Sequence, residues 1–102
     1  MNSEELKLMK GKAHALQPVI MIGQAGLTDA VLNEVELALN THELIKIKVR
    51  AERDERKIIQ QAIIEATRAE LIQSIGQIVV IYRKKPAVEP KKKKQGSRRR
   101  DY

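Results

Sequence analysis

Cysteine is absent from this 102-residue chain, and with it disulfides, thiolate metal sites and thiol catalysis. Phenylalanine and tryptophan are absent too, and the only aromatics are Tyr82 and Tyr102. Modules that read single-stranded bases stack them on aromatic platforms, so a nucleic-acid binder of this composition is expected to rely on backbone donors and cations. No apolar run approaches a membrane span or a secretory leader, and the expectation is a cytoplasmic protein with no membrane partner. His14 and His42 are far apart with no ligand spacing around either, and no serine has an identifiable base. Neither a metal site nor a catalytic residue is indicated.

The formal charge of +7 is unevenly spread. Residues 1–83 carry 11 basic and 11 acidic side chains, whereas residues 84–102 carry nine basic and two acidic. The body is thus neutral, and the surplus lies in a tail whose Lys91, Lys92, Lys93, Lys94, Arg98, Arg99 and Arg100 cannot build a core. We read residues 1–83 as one domain and 84–102 as a disordered polybasic tail that seeks polyanions, RNA before acidic proteins or anionic lipid.

Hydrophobic periodicity organises the body. Ser3 as an N-cap, followed by Glu4 and Glu5, starts a helix over about 3–14, with Leu6, Met9 and Ala13 on its apolar side. Gly11 inside it is expected to fray its end. Val19 to Ile22, after Pro18, is apolar on both faces and reads as a covered strand. Thr28 caps a helix running to about Asn40, with Val31, Leu32, Val35, Ala38 and Leu39 as its buried stripe. Ile45, Ile47 and Val49 then alternate with Lys46, Lys48 and Arg50, the signature of a strand with one core face. Asp54 is the expected cap of a third helix, with Ile58, Ile59, Ala62, Ile63 and Ala66 apolar. Leu71–Ile75 and Ile78–Arg83 flank Gly76-Gln77, a two-residue hairpin turn. The order α-β-α-β-α-β-β predicts a two-layer α/β domain with a four-stranded mixed sheet and two helices on one face.

Between the first strand and second helix lies Gly23-Gln24-Ala25-Gly26. Such a turn exposes backbone N–H groups near the positive end of a helix dipole, a combination that favours an anion. In a basic chain that anion is expected to be a nucleic-acid phosphate. The G-x-G-x-x-G and G-K-[ST] patterns of nucleotide-cofactor sites are missing, so no cofactor or small-molecule substrate is indicated. In a KH domain a G-x-x-G loop joins two helices, whereas here the first glycine closes a strand.

Gly11-Lys12-Ala13-His14, Leu16, Pro18-Val19 and Ile22-Gly23-Gln24-Ala25-Gly26-Leu27-Thr28, with His42-Glu43-Leu44-Ile45-Lys46-Ile47-Lys48, resemble the signature of the CRM domain, closest to its bacterial single-domain, YhbY-type members. The resemblance covers residues 1 to about 83. It implies a fold like the C-terminal domain of translation initiation factor three, RNA binding, and association with precursors of the large ribosomal subunit. It also implies an RNA surface of Lys7, Lys10, Lys12, Gly23, Gln24, Ala25 and Gly26, to which we add Thr28 at the start of the next helix. Many relatives carry a basic residue inside the loop; Gln24 and Ala25 bring no charge here. The expectation is therefore a non-enzymatic, monomeric RNA-binding protein whose basic tail adds contacts. The alternative is a protein-interaction module docking on ribosomal or assembly proteins, with only the tail touching RNA.

Overall fold

A computed structural model of the chain describes residues 2–85. Seven elements follow in order: α1 (Ser3–His14), β1 (Ile20–Ile22), α2 (Asp29–His42), β2 (Leu44–Val49), α3 (Arg53–Thr67), β3 (Glu70–Ile75) and β4 (Ile78–Tyr82). The four strands form one mixed sheet in the order β1-β2-β4-β3, with β1 parallel to β2 and the other two pairs antiparallel. This is the α/β class and element order expected. Of the predicted tail, Lys84 and Lys85 are exposed and outside any element; Lys91–Lys94 and Arg98–Arg100 lie outside the described residues.

Alternation along β2 assigns the two faces of the sheet. Ile45, Ile47 and Val49 are buried with Val79, Ile81, Ile20 and Ile22 against Val35 and Leu39 of α2 and Ile59 and Ile63 of α3. The opposite face carries a second, smaller core, in which Leu44, Ile72 and Val80 pack with Ala13, Leu6 and Met9 of α1. The two-layer packing of α2 and α3 on the sheet thus gains a partial third layer. α1 touches β2 and β3 but leaves part of that face open. Met21 and Val19 are consequently more than half exposed, so β1 is an edge strand covered on one face only, not on both as its apolar run suggested.

Four local expectations are corrected. The cap of α1 is Asn2, not Ser3: its side chain accepts from the Glu5 N–H at 2.8 Å while Glu5 accepts from the Asn2 N–H at 3.1 Å, a reciprocal capping box. The helix runs through Gly11 without ending early. The third helix is capped at Glu52, without a side-chain cap bond, because half-buried Ala51 packs on the core and its carbonyl accepts from the Arg56 guanidinium at 2.8 Å. Asp54 stands in the first turn, where its charge suits the helix dipole. The buried stripe of α3 is Ile59, Ile63 and Thr67 at four-residue spacing; Ile58, 69% exposed, and Ala66 lie off it. Thr67 is accommodated because its hydroxyl donates to the Ile63 carbonyl at 2.7 Å.

One arginine ties the ends of three elements together. The Arg83 guanidinium reaches the Thr67 carbonyl at the end of α3, Asn40 Oδ1 and the Glu36 carboxylate of α2, each at 2.9 Å. Its own N–H donates to the Glu43 carbonyl at 2.9 Å. Charge-assisted bonds of this kind outweigh an exposed ion pair, although the side chain is still 21% exposed and partly screened. Arg83→Ala is expected to cost about 1–2 kcal/mol of stability, read as a lower urea midpoint at unchanged slope. Arg83→Lys should recover less than half of that, since one ammonium cannot span a planar fork's three partners.

Candidate nucleic-acid interface

Gly23–Gly26 form a closed turn at the carboxyl end of β1. The Gly26 N–H donates to the Gly23 carbonyl at 3.0 Å. The Gln24 and Ala25 N–H groups make no hydrogen bond among the described residues, and both residues are exposed. Gly26 has φ +74°, a backbone geometry that side chains strain. Gly23 has no such constraint, and a Cβ there would meet nothing within 4 Å. Leu27 packs on the main core and fixes the loop's far side.

Thr28 caps α2 as expected, its hydroxyl oxygen accepting from the Val31 N–H at 3.2 Å. That oxygen is therefore committed to the helix. Asp29 places a carboxylate in the first helical turn, where it already occupies the favourable end of the dipole. Donors for an incoming anion accordingly come from Gln24 and Ala25, ahead of the helix.

The cation that shares a cleft with this loop stands just beyond the end of β2. Arg50 continues the sheet register, its N–H donating to the Ile22 carbonyl at 2.9 Å, and its guanidinium lies 3.9 Å from the Met21 sulfur. Arg50, Met21, Gly23 and Gln24 line an open cleft of about 890 Å³, whose other wall carries Glu52 and Glu55. Those two carboxylates would disfavour an anion on their side of the cleft, leaving the side formed by the loop and Arg50. Lys48 and Lys46 follow on the same face of β2, at two-residue steps of about 6.5–7 Å. The Lys46 ammonium donates to the Leu16 carbonyl at 2.9 Å, which fixes it on the sheet and leaves two of its protons free.

The lysines of α1 stand apart from the loop. Lys7, Lys10 and Lys12 are all exposed, and none lines the cleft that Gly23 and Gln24 share. Lys7 and Lys12 border a shallow surface with Leu8 and Gly11 on the outer side of the helix. Lys12 also lies with Lys46 at the amino end of β2. The basic groups therefore form a track from α1 across the open sheet face to the loop. Arg50, the link to the loop, has a sequence signal in the β2 alternation, but only the parallel β1–β2 pairing brings it to Gly23.

These features define an α/β domain with a glycine turn at one end of a cation-bearing sheet face. The chain belongs to the CRS1 / YhbY (CRM) domain family, whose model matches residues 1–83. It is 47% identical over 92 residues to a Haemophilus influenzae protein named RNA-binding protein, covering 89% of this chain and 91% of that one. A Pseudomonas aeruginosa protein named probable RNA-binding protein is 44% identical over 87 residues, with 84% of each chain covered. The fold matches the solution structure of a Staphylococcus aureus protein, described as a candidate RNA-binding protein, with TM-score 0.71 at 30% identity, over 89% of this chain and 94% of the other.

The unequal backbone geometry of the two glycines has a direct test in stability. Gly26→Ala is expected to cost about 1–2 kcal/mol because it forces a side chain into the left-handed region. Gly23→Ala should change stability by less than about 0.5 kcal/mol, as for an unconstrained surface site. Equal losses in urea denaturation would mean that the turn is held in some other way.

Proposed function

We propose that this protein is a non-enzymatic RNA-binding protein, acting as a cytoplasmic monomer on precursors of the large ribosomal subunit. The observation that carries the RNA reading is the meeting of the free Gln24 and Ala25 N–H groups with Arg50 at one end of the Lys46–Lys48–Arg50 row. The relatives' names support RNA as the partner class. The particle is what the motif resemblance implies.

On this reading the loop's backbone holds one phosphate and Arg50 neutralises it, while Lys48, Lys46 and the α1 lysines meet phosphates further along. Recognition works through backbone position and RNA shape, since the row offers cations and no base-reading edge. Residues 84–102 add salt-sensitive attraction without sequence preference.

Gly23→Asp tests the loop cleanly, because the position has room for a side chain and the new carboxylate would face the phosphate. It is expected to retain the wild-type circular dichroism and to lose co-sedimentation with large-subunit precursors from cell extract at moderate salt. Unaltered co-sedimentation would remove the loop from the interface and favour docking through protein contacts. For Arg50→Ala, the slope of log affinity for structured RNA against log salt should fall by about 0.7–0.9, the signature of one lost phosphate contact. An unchanged slope would take Arg50 out of the site.

A further inference from the structure

The end of the sheet opposite the glycine loop holds a second cavity, and its chemistry differs from that of the cation row. Its volume is about 530 Å³, and its walls include Lys12, Leu16, His42, Glu43, Lys46 and Tyr82. Tyr82 is the one phenylalanine, tyrosine or tryptophan side chain among the described residues, and the His42 imidazole lines the same cavity. It packs on the small core beneath α1 yet stays partly exposed, and its hydroxyl makes no hydrogen bond among the described residues. A partly buried ring lining an open cavity is what base stacking uses. The cavity lies within the size range of small-ligand sites, with an apolar floor and a few polar groups around it.

We infer that this cavity takes an unpaired nucleobase of the bound RNA, stacked on Tyr82, with Lys12 and Lys46 on the adjoining phosphates. The inference rests on the RNA-binding reading and adds a subsite to it. Lys12 makes no ion pair among the described residues, and Lys46 keeps two protons beyond its bond to Leu16. Glu43 stands at the rim with one carboxylate oxygen on the Lys85 N–H at 2.9 Å. Its charge disfavours acidic peptide side chains, whereas its second oxygen can accept from a base N–H.

The course of the chain argues for the same occupant. Glu43 holds Lys85 at the rim, and from there onward the sequence carries Lys91–Lys94 and Arg98–Arg100. The polybasic sequence therefore follows directly on a residue held at the rim of the Tyr82 cavity. The glycine loop, at the other end of β2, is left to grip backbone.

Because the chain lacks tryptophan, full-length protein carrying Tyr102→Phe has Tyr82 as its single tyrosine reporter. A short unstructured single-stranded RNA is expected to quench its emission, and an RNA duplex of equal length to bind without quenching. Labelled-RNA anisotropy with Tyr82→Leu, which keeps an apolar side chain on the small core, should show about tenfold or greater loss for the single strand and little for the duplex. Tyr82→Phe should match wild type. Binding of the single strand without quenching, or equal affinities for the Leu and Phe variants, would overturn the base pocket while leaving RNA binding intact. Quenching by polyglutamate in place of RNA would overturn it in favour of a protein partner. Failure of both RNAs to bind would overturn the RNA reading itself.

Discussion

Burial of Ile45, Ile47 and Val49 beneath α2 and α3 is the constraint from which the rest of the molecule follows. β2 is hydrogen-bonded on both sides, parallel to β1 and antiparallel to β4, so its register is set by two neighbours at once. With period-2 alternation, burying one set of residues obliges Lys46, Lys48 and Arg50 to the other face. A one-residue slip would drive three cations into the core, at a cost far beyond the stability of a domain this size. The cation row is thus as firmly specified as the core itself. The parallel pairing then carries the row's end to the glycine turn, because Ile22 lies opposite Val49 and the next residues of the two strands are Gly23 and Arg50.

The opposite end of the sheet is organised by a different set of contacts. Glu43 ends α2 with φ +66° and ψ −49°, a strained conformation for a side-chain-bearing residue, and costs of order 1–3 kcal/mol are usual there. Its surroundings over-determine it: its N–H donates to Leu39, its carbonyl accepts from Arg83, and its carboxylate accepts from Lys85. Arg83 in turn holds the ends of α2 and α3. This network brings the last described residues back over the amino end of β2, beside Tyr82. Short local bonds thereby fix where the polybasic sequence departs from the body.

Much of this was legible in the order of residues. The apolar stripe of α2, the alternation of β2, the Gly76-Gln77 hairpin and the Thr28 cap each depend on neighbours within a few positions, and each appears where the pattern puts it. Local competition between rival signals was harder to read. Asn2 and Ser3 are both good caps, and the reciprocal bond with Glu5 selects Asn2. Asp54 is the better cap residue by type, but the packing of Ala51 starts the helix earlier. Contacts across the sheet left no local trace at all. Arg50 at the loop, Lys46 on Leu16 and Tyr82 beside Lys12 join residues 26 to 70 positions apart, so only the topology unites them.

Net neutrality of the body conceals a division that matters for a polyanion. α1, β2 and the adjoining Arg50 carry six basic side chains against two acidic, whereas α2 and α3 carry six acidic against three basic. The sheet separates the two groups, since α1 packs on one face and α2 and α3 on the other. The potential of such a body is dipolar, and its positive side coincides with the open sheet face. A polyanion approaching from the helical side meets like charge and is turned away. The mean charge therefore says little about affinity and much about orientation. The charge division favours the open sheet face as the one that meets a polyanion first.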